Sequence, residues 1–245
     1  MSTTEPYIFY GEILPHRGSF LSFATDMRIG ESEEGFTAIV HIQIQLNHVV
    51  ATVETDDPWE LFHLRNTVAS VVETVIAVAC YIHGFAYSFD LVRVMNRGLD
   101  LDLIFSTGLV CIVEPRADVD TFSRMKEVGA LCSGPFGKLV SRAFRDLASA
   151  IANRDDTAFY CYRAIEALSQ HCGGINNIDA RNKQWDLFRE VSKTERSTID
   201  YIKTFADALR HGGNCALTDQ EATRVIMSAW AVVDRYIATF TSAKE

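Results

Sequence analysis

The chain has 245 residues, of which 48% are hydrophobic and 22% charged, a composition typical of a folded protein with a sizeable core. Its net charge of -9 disfavours general electrostatic binding to nucleic acid, because an acidic surface repels phosphates. The six cysteines form no C-x-x-C pair, and no basic segment followed by an apolar run opens the sequence. We therefore expect reduced thiols and a cytoplasmic protein.

The charges are distributed unevenly along the chain. Residues 1–135 contain 8 Lys and Arg against 18 Asp and Glu, whereas residues 136–245 contain 15 against 14. The acidic N-terminal half suits a basic protein partner, and the nearly neutral C-terminal half leaves room for a local basic pocket.

The first half of the chain has the alternation of β-strands. Apolar side chains recur at every second position in 21–29 and 38–46, and a further strand is predicted over 49–54. Asp57-Pro58-Trp59-Glu60 then predicts the start of a long helix that Gly84 stops. Its most apolar run is too short for a membrane span and contains polar residues, so we expect no membrane segment.

Two more strands are predicted over 86–94 and 99–113, and a short helix over 122–131. After Pro135 the apolar period becomes helical, with Ser192–Glu195 and Thr218–Glu221 as capping boxes and glycine pairs at 173–174 and 212–213 as helix ends. We predict an α+β protein: a mixed or antiparallel sheet with one long helix in residues 1–118, a connecting segment 119–135, and an antiparallel four- to five-helix bundle in residues 136–245.

Two stretches place charged residues on otherwise apolar helices. Arg163 and Glu166 share one side of the first helix, and Asp207 shares a side of the second with Arg210 and His211. If the helices are neighbours, these groups meet in one groove, where an arginine beside an imidazole can bind phosphate and move a proton. Arg210, His211 and Glu166 are then candidate catalytic residues, and Arg163 and Asp207 candidate binding residues. The alternative is ion pairing within each helix, with His211 stabilised by the helix dipole.

The same residues give the C-terminal half a resemblance to a known family. Two facing helices, the first with a buried acid and the second ending in Arg and a polar residue, resemble the HEPN (higher eukaryote and prokaryote nucleotide-binding) domains. Arg210 and His211 match the first two positions of the HEPN motif, Glu166 matches the acid, and Cys215 stands where the family has its final His. The resemblance covers at most residues 136–242.

The resemblance implies a homodimer that binds RNA or a nucleotide, either without catalysis or as a degenerate, metal-independent ribonuclease of a defence or toxin type. The alternative is a non-enzymatic dimeric interaction or scaffold protein. No glycine-rich phosphate loop and no G-x-S-x-G elbow is present, and we predict no cofactor.

Cysteines and histidines near the helix ends offer a different kind of site. His171 and Cys172, His211 and Cys215, with Cys161 in reserve, are the ligand types of tetrahedral zinc. Adjacent residues on a helix diverge by about 100°, and the spacing matches no zinc-finger pattern. We therefore predict no metal, and interpret these residues as buried thiols and ordinary histidines.

Large apolar residues outside the inward stripes of the last two helices predict an interaction surface. They are Tyr201, Phe205, Met227, Trp230 and Val232. Such residues suit a homodimer interface, and equally suit packing on the N-terminal half.

Overall fold

The computed structural model describes residues 5–16, 20–29, 38–55, 59–211 and 217–241. The chain divides into two compact units, residues 1–106 and 107–245. The predicted α+β class is confirmed, since the first unit is a sheet with one helix and the second is helical. The division falls before the predicted domain end at 118, and most of the predicted connecting segment, 119–135, is a helix of the second unit.

A six-stranded sheet forms the first unit, and every neighbouring pair of strands is antiparallel. The strand order is β2-β3-β4-β1-β5-β6. The strands are β1 (Tyr7–Leu14), β2 (Phe23–Ile29), β3 (Ala38–Gln45), β4 (His48–Glu54), β5 (Ser88–Asn96) and β6 (Leu101–Ile104). The predicted strand over 99–113 is wrong beyond Ile104, because the chain bends at 107–108 and then becomes helical.

One face of the sheet is covered by helix α1 (Leu61–His83). Alternate residues of the central strands are buried, as the period of two requires, and they form one core with a stripe along α1. The stripe consists of Leu64, Val68, Val72, Ile76 and Ala79. By length and composition α1 is apolar enough to cross a membrane, and its far side is exposed at Val78, Tyr81 and Ile82.

The ends of α1 follow local rules. Glu60 caps the first turn, since its carboxylate accepts hydrogen bonds from the N–H groups of Phe62 and His63. The predicted cap and proline, Asp57 and Pro58, lie outside the described residues. Gly84 ends the helix in the left-handed conformation with φ of 69°, as predicted.

The second unit is a helical bundle built around α5. Its elements are α2 (Val110–Val113), a 3₁₀ helix (Glu114–Arg116), α3 (Thr121–Ser133), α4 (Gly137–Ala152), α5 (Thr157–Ile175), α6 (Arg181–Val191), α7 (Arg196–Arg210) and α8 (Asp219–Thr241). The helices α4, α6, α7 and α8 all pack on α5, of which 12 of 19 residues are buried. The predicted bundle of four to five helices corresponds to α4–α8.

One predicted capping box forms and the other does not. At the start of α8, Glu221 accepts hydrogen bonds from the N–H and hydroxyl of Thr218, whose hydroxyl accepts from the N–H of Glu221. The prediction at Ser192 is wrong, because its hydroxyl donates to the carbonyl of Phe188 in the preceding helix, and α7 starts only after Glu195.

Two further predictions can be compared with the structure: the glycine pairs as helix ends, and the residues of the predicted interface. Helix α5 runs through Gly173 and Gly174 to Ile175, while residues 212–213 lie outside the described part of the chain. Val232 is wrong as an interface residue because it is fully buried in the core. Trp230, Tyr201 and Phe205 pack partly buried against the same core, whereas Met227 is exposed.

Close packing between α3 and α4 leaves no room for a side chain at Gly137. A Cβ atom there would lie 2.2 Å from the backbone oxygen of Cys132, whereas one at Gly129 in α3 would have no neighbour within 4 Å. We expect Gly137→Ala to lower the free energy of unfolding by about 1–3 kcal/mol through overpacking. Gly129→Ala, the matched control, should raise it by about 0.5–1 kcal/mol through helix propensity. Urea unfolding measures both, and equal effects of the two changes would contradict the packing described here.

Candidate functional site

An open groove of about 570 Å³ lies on the helical unit where the start of α4, the end of α5 and the start of α6 meet. The groove is lined by apolar walls and by side chains that can form hydrogen bonds. Its lining residues are Phe136, Leu139, Glu166, Ser169, Gln170, Gly173, Gly174, Asn177, Ile178, Asp179, Arg181, Gln184 and Trp185.

Glycine residues of α5 allow the groove to form. A Cβ atom at Gly174 would lie 2.8 Å from the ring of Phe136, and one at Gly173 would lie 2.4 Å from the side chain of Gln184. The amide of Gln184 in turn donates to the carbonyl of Ile178 at 2.7 Å, which ties the loop after α5 to α6. Two walls of the groove therefore rest directly on the backbone of α5.

An ion pair crosses the groove between α5 and α6. The Arg181 guanidinium donates to the Glu166 carboxylate, which is 19% exposed, whereas the Arg181 side chain is 66% exposed. A guanidinium has five N–H donors, and with its side chain 66% exposed, Arg181 keeps donors accessible to solvent. Glu166 thus holds in place a cation that can still bind an anion.

Trp185 forms the wall that separates this groove from a second, smaller cavity of about 250 Å³. Its indole stacks on the ring of Tyr162, with centroids 6.1 Å apart and planes at 19°. It also contacts Phe188 edge-on. These contacts fix the orientation of the indole between the two cavities.

Three of the five predicted site residues meet around Tyr162. Burial raises the pKa of the Tyr162 hydroxyl, and so do the nearby carboxylates of Glu166 and Asp207. The guanidinium groups of Arg181 and Arg210 lower the same pKa. These charges are therefore neighbours in space, although they come from three helices.

The end of α7 carries the other predicted catalytic residue. His211 is exposed there and its N–H bonds to the carbonyl of Asp207. Arg210 lies 3.9 Å from the Asp207 carboxylate, the pairing within one helix that the sequence also allows. Cys215, the last position of the predicted motif, lies outside the described residues.

Arg163 points away from Glu166, toward α4. Its Nη2 lies 3.1 Å from Oδ1 of Asp146, whose side chain is only 7% exposed. Burial raises the pKa of Asp146, while the arginines around it lower it. The structure therefore places the two predicted binding residues, Arg163 and Asp207, on different sides of α5.

The histidine and cysteine pair considered for zinc belongs to a buried hydrogen-bond network. Nδ1 of His171 lies 2.7 Å from the hydroxyl of Tyr236, and the His171 ring also bonds to the carbonyl of Pro135. Since a carbonyl only accepts, the neutral ring donates to Pro135 and accepts from Tyr236. The thiol of Cys172 bonds to the same tyrosine.

The remaining thiol of that set is also in the core. Cys161 is fully buried, which raises its pKa to about 12. Over the described ranges, no group of three or more His, Cys, Asp and Glu residues is arranged to hold a metal ion.

Sequence patterns missed Arg181, Trp185 and Asp146. The segment around Trp185 lacks a cap and a long apolar stripe, although Trp185 and Phe188 are spaced as neighbours on a helix. Asp146 lies on the apolar side of α4, beside Ala143 and Leu147. A carboxylate on an otherwise apolar face is the one signal that could have indicated a buried ion pair.

Comparison with protein families identifies both units. The N-terminal domain of the domain of unknown function DUF8168 matches residues 7–105, and its C-terminal domain matches residues 126–241. The chain belongs to the DUF8168 family. No curated protein and no solved structure matches it. The HEPN resemblance is therefore wrong, since the helices that suggested it lie within the DUF8168 C-terminal domain. The two matched motif positions, Arg210 and His211, are also too few to define a family.

The network around His171 makes the stability of the DUF8168 C-terminal domain depend on pH. Burial lowers the pKa of His171 below its ordinary value of 6.5, so below that pH the unfolded chain binds a proton that the folded chain does not. We expect the free energy of unfolding to fall as the pH is lowered from about 7.5 through 6.5. The fall should stop below the folded pKa, where both states are protonated.

Denaturant unfolding across this pH range tests the dependence. His171→Gln should flatten it, because the titrating group is removed. His211→Gln makes the same change at an exposed imidazole outside this network and is the matched control. A wild-type slope that persists in His171→Gln would assign the effect to another group.

Proposed function

We propose that the DUF8168 C-terminal domain of this protein is a nucleotide-binding module, with the nucleotide in the groove between α4, α5 and α6. The observation that supports this most is the pairing of an indole wall, Trp185, with an exposed guanidinium, Arg181, in one groove. A planar base packs on an aromatic or apolar wall, and a phosphate binds a guanidinium in a bidentate manner.

The size and lining of the groove agree with a ligand of this class. Pockets for small molecules have volumes of about 300–1,000 Å³ and combine apolar walls with a few polar groups. Here the apolar walls come from Phe136, Leu139 and Ile178, and Gln170 and Asn177 offer amide groups to the edge of a base. The groove of about 570 Å³ has room for one nucleotide.

The charge of the protein favours a single nucleotide over long RNA. The whole chain carries a net charge of -9, which opposes the binding of long RNA, because RNA has one phosphate per nucleotide. A mononucleotide needs only a local cation, and the groove supplies one. RNA binding, which the sequence also suggested, is thus the less favoured form of the proposal.

The groove chemistry favours binding over catalysis. Two acids, Glu166 and Asp179, line the groove, and the charge of Glu166 is already compensated by Arg181. The described residues that line the groove include no imidazole and no thiol. General acid–base catalysis by an imidazole, its commonest form, therefore has no candidate in the described lining.

Calorimetric titration with AMP, ATP and adenosine tests the proposal. We expect AMP and ATP to bind the wild-type chain, and Arg181→Gln to weaken both about tenfold or more through loss of a charge-assisted hydrogen bond. Adenosine, which has no phosphate, should bind Arg181→Gln and wild type equally. Trp185→Leu should weaken all three ligands.

Arg154→Gln is the matched control for this experiment. Arg154 also pairs with a carboxylate, that of Asp219, but at the opposite end of α5 from the groove. Its loss should leave nucleotide binding unchanged. The proposal fails if the wild type binds none of the three ligands, or if Arg154→Gln and Arg181→Gln weaken binding equally.

A second candidate function, as a dimeric interaction protein, is favoured by an apolar patch in the N-terminal unit. The patch comprises Val78, Tyr81 and Ile82 at the end of α1, with Phe85 beyond it. Tyr81 is 88% exposed, which is unusual for a large ring within an apolar run. A cytoplasmic location and a basic protein partner for the acidic half stay predictions.

Sedimentation velocity tests self-association through this patch. If two copies of the chain meet through it, Tyr81→Ser combined with Ile82→Ser should convert a dimer to a monomer, because the apolar area is lost. Leu99→Ser is the control, since Leu99 is a similarly exposed leucine in the turn before β6. A wild-type chain that is monomeric at all concentrations would exclude this candidate.

A further inference from the structure

Two arginines pair with one buried carboxylate between α4 and α5, and a third is near enough to act on it electrostatically. Nη2 of Arg163 lies 3.1 Å from Oδ1 of Asp146, and Nε of Arg142 lies 3.8 Å from Oδ2. The guanidinium of Arg145 also acts electrostatically on Asp146. We call Arg142, Arg145 and Arg163 the arginine cluster.

The arginine cluster carries more positive charge than its partner can balance. Asp146 is the one acid in α4, and Lys138 adds a fourth cation one turn before Arg142. Three guanidinium groups around a single carboxylate leave a local excess of two positive charges. The whole chain has a net charge of -9, so this excess of positive charge is local to the arginine cluster.

The orientation of Arg163 is fixed from several sides. Its guanidinium lies 5.2 Å from the ring centre of Phe159 and 5.6 Å from that of Tyr160, in addition to its contact with Asp146. Nε of Arg163 and Oδ2 of Asp146 are buried and lack a hydrogen-bond partner among the described residues. Arg142 and Arg145 are exposed, so their donors face solvent beside this fixed guanidinium.

The arginine cluster lies near the groove along α4. Leu139, which lines the groove, precedes Arg142 by three residues on this helix. Residues three apart share a side of a helix and are separated by about 4.5 Å along its axis. The groove and Arg142 are therefore about one turn apart on α4.

We propose that the arginine cluster is a binding site for phosphoryl groups. Guanidinium groups bind phosphate oxygens through paired, charge-assisted hydrogen bonds, and a polyanion restores the balance of charge around Asp146. Asp146 acts as a positioning residue that holds Arg142 and Arg163. The phosphoryl group can belong to free polyphosphate or to the phosphate chain of a nucleotide whose base occupies the groove; only the second source rests on the proposed function.

Titration calorimetry with inorganic tripolyphosphate tests the site without a nucleotide. We expect wild type to bind it, and Arg142→Gln and Arg145→Gln each to weaken binding about tenfold. Arg196→Gln removes the same charge from an exposed ion pair on α7 and should change affinity less than twofold. Both cluster variants alter exposed side chains, and their melting temperatures should match wild type.

The same measurement with ATP separates the two sources. If Arg142→Gln weakens ATP more than AMP, the cluster holds the outer phosphates of a nucleotide seated in the groove. If Trp185→Leu lowers the affinity for ATP to that for tripolyphosphate and leaves the affinity for tripolyphosphate unchanged, the groove and the cluster are separate subsites. Tripolyphosphate binding with no added affinity for ATP would support the cluster and reject the nucleotide groove. Absence of tripolyphosphate binding, or equal loss in Arg142→Gln and Arg196→Gln, would overturn the arginine site.

Discussion

The burial of α5 is the constraint on which the helical unit depends. Four helices pack on α5, so its polar side chains can be accommodated only at seams between neighbours. Arg163 enters the seam with α4, and Glu166 enters the seam with α6. Where the next turns reach Gly173 and Gly174, the absence of side chains lets Gln184 and Phe136, two residues of the groove wall, pack directly on the helix backbone. One helix thus determines the positions of the ion pairs, the groove and the arginine cluster.

The sequence was sufficient for the fold class but not for the partners of each charge. Periods of two and of 3.6 residues identified most of the strands and helices, because burial on one face imposes them directly. The same patterns show which residues share a side of one helix, but not which helices are neighbours. Glu166 and Arg163 were therefore both grouped with Arg210, although only Glu166 lies near it. The ion-pair partner of Glu166 is Arg181, and that of Arg163 is Asp146. Both true partners lie on helices other than α7.

Short motifs depend on what competes for their donors and acceptors. Thr218–Glu221 and Ser192–Glu195 have the same pattern of residue types, but the hydroxyl of Ser192 is already bonded to the helix that precedes it. Ser192 lies at the end of α6, where the carbonyl of Phe188 accepts hydrogen bonds from both its N–H and its hydroxyl, and the guanidinium of Arg235 donates to the carbonyl of Ser192. Arg210 and His211 did not identify a nuclease family for a similar reason. A charged pair at an exposed helix end is compatible with many structures.

Because Trp185 lies between two cavities, its intrinsic fluorescence can report ligand binding in either of them. An indole changes its emission when water beside it is replaced by a ligand or when its contact with a neighbouring ring is altered. Of the three tryptophans in the chain, Trp185 is the one that lines a described cavity, and it lines both. Its stacking on Tyr162 further couples its surroundings to the charges of α5, α6 and α7. Intrinsic fluorescence can therefore be used to screen compounds against this unlabelled chain.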